Sequence, residues 1–254
     1  MIDATVDVDF GGNKLLYLFK GEFVFEWNRS TNSLKSESPA NIKDIFPGLE
    51  ARAIEAGLSI GKTMHLFADG RVFKFRVAEE DSGKEIEEEE GSAVDATSFL
   101  ASVRWRLIDG PASIDVEWVT MEGIAIDAAL TRKTPRYFGV IFIGSAENGA
   151  AVCWSALEFQ AASRNGNDDE DLAKALQKAL RGRLPMEDFA NGAASGVGAA
   201  SGVVGAAFQD GAEGISLFLT NGRRLIFDAQ SSNFVVDGRK KQVLTRLEEM
   251  CGRI

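Results

Sequence analysis

The chain has 254 residues, 45% of them hydrophobic, and a formal net charge of −10. That length suits one substantial core or two small ones, and no apolar run is long enough to span a membrane as a helix. The acidic balance disfavours nucleic acid and anionic membrane surfaces as partners.

The first fifty residues set a pattern. Ile2–Val6 reads as a short buried strand. Gly11-Gly12-Asn13 is turn chemistry, because glycine and asparagine accept positive φ. Leu15–Phe19 is a second strand and Phe23–Trp27 a third, joined by a tight hairpin at Lys20-Gly21-Glu22. Asn28–Ser36 is polar and leaves room for a short fourth strand. Ile42, Ile45 and Phe46 recur at helical spacing after Ser38-Pro39, and Pro47-Gly48 ends that helix. A lone sheet of this size cannot bury both faces, so it needs neighbours.

Three weaker copies follow. The second opens at Ala53–Gly57 and continues with Met64–Phe67 and Val72–Phe75, joined at Asp69-Gly70. The third opens at Ile126–Leu130, with hairpin strands at Val140–Ile143 and Ala151–Trp154. The fourth opens at Val204–Phe208, followed by Ser216–Leu219 and Leu225–Phe227, joined near Asn221-Gly222. The opening positions Asp3, Glu55, Asp127 and Gly205 are 52, 72 and 78 residues apart. Each copy has a helix candidate at its end. Phe99, Leu100 and Val103 follow an Asp95 cap. Leu172, Leu176 and Leu180 share a face behind the acidic Asp168–Asp171, with Gly182 beyond. Val243, Leu247 and Met250 mark the last.

Two further segments enlarge the pattern. Arg104–Ile108 and Ile114–Val119 flank Asp109-Gly110-Pro111 and read as an extra hairpin after the second copy. Ala190–Gly205, rich in glycine, alanine and serine, reads as a loop before the fourth. Its glycines do not follow a strand and open a helix, so a phosphate cradle is disfavoured. Glu79–Glu90 holds eight carboxylates and one lysine. The plain reading is a solvated loop, against a loose divalent-cation site or a docking arm for a basic partner.

The order Ile2-Asp3-Ala4, a strand ending Leu18-Phe19-Lys20-Gly21, an aromatic strand, then Ile42 to Phe46-Pro47-Gly48-Leu49, resembles a hemopexin repeat. The match is close over Ile2–Leu49, good at Ile126–Leu130 and degenerate in copies two and four. The resemblance implies an all-β fold: a single-domain, four-bladed β-propeller with short helices at blade ends and insertions after blades two and three. The blades would span about 2–50, 53–122, 124–185 and 203–254. Radial repetition explains how short strands escape exposed edges. The family's first-to-last disulfide is absent, because Cys251 lies near the end but the first blade has no cysteine. With only Cys153 and Cys251 present, a reducing, cytoplasmic setting is expected. A Cys153–Cys251 bridge is the alternative. The first strand begins at Ile2, which is read as no signal peptide ahead of the fold.

The resemblance also implies a site made of backbone. Carbonyls of Asp3, Glu55, Asp127 and Gly205 would hold a cation in the channel, and amides of Thr5, Gly57, Ala129 and Ala207 an anion. Oxygen-only coordination favours calcium or sodium. Gly205 departs from the acidic pattern, which a carbonyl ligand tolerates. The competing structural reading is that Asp3 and Asp127 only hydrogen-bond neighbouring blades.

Side-chain chemistry is sparse. His65 is the single histidine, and its repeat counterparts are Tyr17, Val140 and Ser216. His65 packs in the sheet on the plain reading. On the sharper one it serves, with Tyr17, as a polar handle for a ligand near the channel. No Cys/His cluster has zinc spacing, and one histidine cannot supply bis-histidine haem ligation. The expected function is a binding module presenting its channel or loop surface to a small-molecule or protein ligand. The alternative is a cyclase- or isomerase-type enzyme with an apolar pocket. Fold alone does not choose between them. The oligomeric state is left open, a homodimer being compatible with the sequence.

Overall fold

The structure is a computed structural model that describes residues 2–10, 13–28, 33–35, 39–78, 103–118, 121–133, 137–146, 149–158, 169–179, 181–185, 204–210, 214–219, 224–228 and 233–236. It is all-β in class, with four antiparallel sheets and few helices. The first sheet holds β1 (Ala4–Phe10), β2 (Asn13–Lys20), β3 (Phe23–Asn28), β4 (Ser33–Leu34) and β5 (Ala40–Asn41), the last two both on β3. The helix α1 (Ile42–Ile45) follows β5. The second sheet holds β6 (Ala56–Ile60), β7 (Thr63–Ala68), β8 (Arg71–Val77) and β9 (Trp105–Ser113), followed by α2 (Ile114–Glu117). The third holds β10 (Ala125–Lys133), β11 (Tyr137–Ala146), β12 (Gly149–Glu158) and, after α3 (Asp169–Ala179), β13 (Arg181–Pro185). The fourth holds β14 (Val204–Asp210), β15 (Gly214–Leu219), β16 (Arg224–Asp228) and β17 (Asn233–Val236). The first strands lie together: β1 is against β6, β10 and β14, and β10 is against β6 and β14.

Local chemistry explains the hairpins. Between β7 and β8 both turn residues have positive φ, Asp69 at 52° and Gly70 at 68°. That is the turn whose twist matches paired strands. Asn41 caps α1 by accepting a hydrogen bond from the Lys43 amide at 3.0 Å. The Phe46 amide closes α1 by donating to the Ile42 carbonyl, and Gly48 continues at φ 89°.

Packing uses both faces of the middle sheet. Met64, Leu66 and Ala68 of β7 join Tyr17, Phe19, Phe46, Phe73, Phe75 and Trp105 in a core between the first and second sheets. Phe67 instead joins Val72, Ile114, Trp118, Phe142, Cys153 and Leu176 in a core between the second and third. Successive strand side chains point to opposite faces, so β7, buried on both sides, is apolar at Met64, Leu66, Phe67 and Ala68 and buries Thr63 and His65 as well. Gly57 is where β6 approaches β1. A Cβ there would meet Val6 Cγ2 at 2.3 Å, far inside contact distance.

Several sequence expectations are corrected. Arg104–Val119 is not an extra hairpin. Residues 105–113 form one irregular strand, β9, paired to β8 with register shifts around Lys74, and residues 114–117 form a helical turn. The helix closing the second sheet is therefore α2. Val103 is buried ahead of β9 and not helical, while Phe99 and Leu100 lie outside the described residues. In the third sheet the helix precedes the last strand instead of ending the unit. The first strand begins at Ala4, not Ile2, and the second unit's at Ala56, not Ala53. Cys153 is buried in β12, and Cys251, its alternative partner, lies outside the described residues. Glu79–Glu90, Gly11-Gly12, residues 190–203, Asn221-Gly222, Leu180, Cys251 and the last helix candidate lie outside the described residues.

Candidate functional site

Two sets of residues have the chemistry of a site. The first is at the start of the inner strands. Asp3 and Glu55 sit one residue ahead of β1 and β6, and their amides donate to the Phe19 and Phe67 carbonyls, both at 2.9 Å. Asp127 and Gly205 occupy the same place as bulge residues, between Ile126 and Ala128 and between Val204 and Ala206. The alanine that follows each is paired alike: Ala4 with Phe19, Ala56 with Phe67, Ala128 with Ile143, Ala206 with Phe218. The four positions are thus equivalent in register.

Their carboxylates act within their own sheets, not on neighbouring ones as the competing reading had it. Asp3 Oδ2 accepts from the Gly21 amide at 2.7 Å. Asp127 Oδ2 accepts from Ser145 Oγ at 2.6 Å. Gly21 and Ser145 each lie two residues past the paired residue, and so does Asp69, whose backbone hydrogen-bonds Glu55. Each acid clips the hairpin that follows its partner strand. Burial, outweighing the Asp69 backbone bond, raises the Glu55 pKa, with help from the Asp69 and Asp127 carboxylates. Burial also raises Asp127, opposed by the Ser145 hydrogen bond. Among the described residues no three His, Cys, Asp or Glu side chains gather as a metal site.

The second set crosses the second sheet. Cross-strand partners share a face, so Leu58, His65, Lys74 and Asp109 form one row from β6 to β9. His65 is fully buried, and among the described residues neither ring nitrogen makes a hydrogen bond of good geometry. Burial, and then the Lys74 ammonium, lower its pKa to about 3, against smaller opposing effects from the Thr63 backbone and Asp109. Lys74 Nζ is 2.8 Å from Asp109 Oδ2 and 2.6 Å from Glu117 Oε1 on α2. Burial would lower the Lys74 pKa, but the hydrogen bonds to the two carboxylates outweigh it and raise the value. The hydrogen bond from Lys74 holds Asp109 below the usual carboxylate range. The Lys74 and Glu117 side chains are 17% and 13% exposed, Asp109 56%, so the row runs from core to surface.

Tyr17 occupies the equivalent position in the first sheet. It pairs with Val6 and Glu26 as His65 pairs with Leu58 and Lys74. Burial, then the Glu26 charge, raise its pKa well above the usual phenol value, and the nearby Trp105 indole pulls the other way. Among the described residues its hydroxyl makes no hydrogen bond of good geometry. Tyr17 and His65 do not line one pocket. Tyr17 belongs to the core between sheets one and two, whereas His65 shares a face with Phe67, toward sheet three. In the third sheet the equivalent is Ile141, which faces Leu130, and not Val140, because Ala128 pairs with Ile143 and the equivalent place lies two residues before that partner. Ser216 keeps its place, opposite Phe208.

Lys74, Asp109 and Glu117 were not singled out as a set in the sequence. A signal existed: Lys74 is one charge within Val72-Phe73-Lys74-Phe75. A charge on a buried face needs a partner, though the partner's place in the chain is not local.

No protein-family model and no curated protein matches this chain. Solved structures do match in shape. A 2S albumin seed protein from Dolichos aligns at TM-score 0.57 and 12% identity, covering 94% of this chain and 92% of that one. The hemopexin fold protein CP4 from cow pea aligns at 0.56 and 12%, covering 93% and 91%. A plant albumin from Cicer arietinum, described as showing hemagglutination, aligns at 0.54 and 11%, covering 94% and 91%. At such identity the likeness concerns the fold, which this chain shares over nearly its whole length with seed albumins and a hemopexin fold protein.

Proposed function

We propose that the chain is a non-enzymatic binding module: four degenerate hemopexin repeats closed into a four-bladed propeller that presents its axial channel or loop surface to a small-molecule or protein ligand. A cation, calcium or sodium, sits on the axis, held by the carbonyls of Asp3, Glu55, Asp127 and Gly205. The observation that carries this reading is the shared register of those four residues on first strands that lie against one another. The Asp3 and Asp127 carboxylates are engaged with their own hairpins, which leaves main-chain oxygen as the ligand and suits a hard cation. The fold is shared with proteins described as seed albumins, one of them as showing hemagglutination, which is binding behaviour. The test is thermal unfolding of chelator-treated protein with calcium, sodium or neither, alongside metal analysis. A ligand of the folded state raises the melting temperature by mass action. Unchanged melting in both salts, with no metal retained, would remove the cation from the proposal.

A further inference from the structure

We infer that His65 is an acid-sensitive latch between the second and third sheets: protonation of its ring opens that contact while the contact between the first and second sheets holds. The geometry is one-sided. His65 is buried, and among the described residues neither ring nitrogen makes a hydrogen bond of good geometry, so the neutral ring already bears the cost of a poorly satisfied donor. A proton adds a second orphaned donor and a charge. Directly opposite stands the Lys74 ammonium, and one pair further along β8 stands Arg76, whose guanidinium donates to Thr63 Oγ1. Both are cations on the face that His65 occupies.

No anion is bonded to the ring among the described residues. Asp109 and Glu117 are bonded to Lys74 through Oδ2 and Oε1, and the second Glu117 oxygen is buried without a hydrogen-bond partner of its own. Glu55 precedes β6, is exposed and bonds the Asp69 backbone. From the third sheet the same core receives the Cys153 thiol of β12, while Asp127 of β10 is bonded to Ser145. The Asp171, Lys174 and Lys178 side chains of α3 are exposed. The aromatic neighbours in that layer are Phe67, Trp118 and Phe142, with ring centroids 5.6 and 4.9 Å apart. Opening the layer hydrates the ring and lets it take its proton. The first-to-second-sheet layer has Tyr17 in the equivalent place, and a phenol gains no proton on acidification.

The expected size follows from linkage. The ring titrates at about 3 in place and at 6.5 ordinarily. An open state with the ordinary value is therefore favoured about 70-fold more at pH 4.5 than at pH 7. Cys153 reports the opening, because it is buried in that core. The experiment uses the full chain carrying Cys251→Ser, reacted with a dipyridyl disulfide and normalised to N-acetylcysteine at each pH. The normalised rate should rise by tens of fold from pH 7 to pH 4.5, and by less than about twofold when His65→Gln is added. A flat rate in the parent, or an equal rise with His65→Gln, overturns the latch. If His65→Gln does not fold, amide exchange of the parent decides. β6, β7 and β10–β12 should exchange faster at pH 4.5, after correction for intrinsic rates, while β2 stays protected. Equal acceleration in all sheets would overturn it.

Discussion

The core between sheets one and two and the core between sheets two and three are built on one plan and filled differently. In each, a one-turn helix ends in an aromatic plug whose amide donates to the isoleucine that opens it: Phe46 to Ile42, Trp118 to Ile114. Around Phe46 stand Phe19, Phe75 and Trp105, with centroids 5.2 to 6.0 Å away. Equivalent positions pair off as Tyr17 with His65, Glu26 with Lys74 and Ile45 with Glu117. The first layer puts the apolar Ile45 where the second puts Glu117, and Glu117 closes an ion triad with Lys74 and Asp109. Identical backbone slots therefore carry opposite sensitivities. His65, neutral in place, stabilises fully above pH 6.5 and loses that contribution as pH falls toward 3. Tyr17, neutral in place with a raised pKa, stabilises fully below about pH 10 and loses that contribution as pH rises further. Glu55 and Asp127, with raised values, cost stability at neutral pH and are relieved on acidification.

The hardest blow to this comparison is at the aromatic plug. Phe46→Ala removes a fully buried ring and should cost about 4 kcal/mol in urea unfolding. A cost under about 1 kcal/mol would mean the plug does not hold the layer together. Lys74→Met acts on the other layer. It strands Glu117, already mostly buried, and should cost about 3 kcal/mol at pH 7. Adding Glu117→Leu should return most of that loss, since an apolar replacement of a buried pair is tolerated far better than a broken one. A double variant as unstable as the sum of the singles would show that the pair is not coupled. The smallest effect sharpens the contrast. Tyr17→Phe removes a hydroxyl that makes no hydrogen bond of good geometry among the described residues and should raise stability by about 1 kcal/mol. It should also flatten the loss of stability above pH 10, while leaving the acid limb untouched. Loss of stability in Tyr17→Phe would reveal a hidden partner for the hydroxyl.

The elements legible in the sequence are those with local causes. Asp69-Gly70 needed only its own backbone preferences to become a hairpin turn, and Ile42, Ile45 and Phe46 needed only helical spacing, although the helix starts behind an Asn41 cap and not directly after Ser38-Pro39. The inner-strand positions Asp3, Glu55, Asp127 and Gly205 were legible too, because repetition marks equivalent places without a structure. Ile114-Asp115-Val116-Glu117-Trp118 was not. Its apolar residues alternate, which reads as a strand, but Ile114 and Trp118 are also four apart. The structure buries those two on one side of a helical turn and leaves Val116 76% exposed. Short apolar runs satisfy both periods, and only the neighbouring sheet decides between them. Likewise β9 became one strand because β8 offered an edge to pair with, which no window of β9 itself records. The pairing of Ala128 with Ile143 put Ile141 into the place given to Val140, since a one-residue difference in register turns every side chain to the other face. The Lys74–Glu117 pair joins a strand to a helical turn 43 residues away. Backbone preference and repetition act within a segment, so the sequence carries them. Which face a buried charge meets depends on how two sheets and a helix stack, and only the tertiary structure sets that.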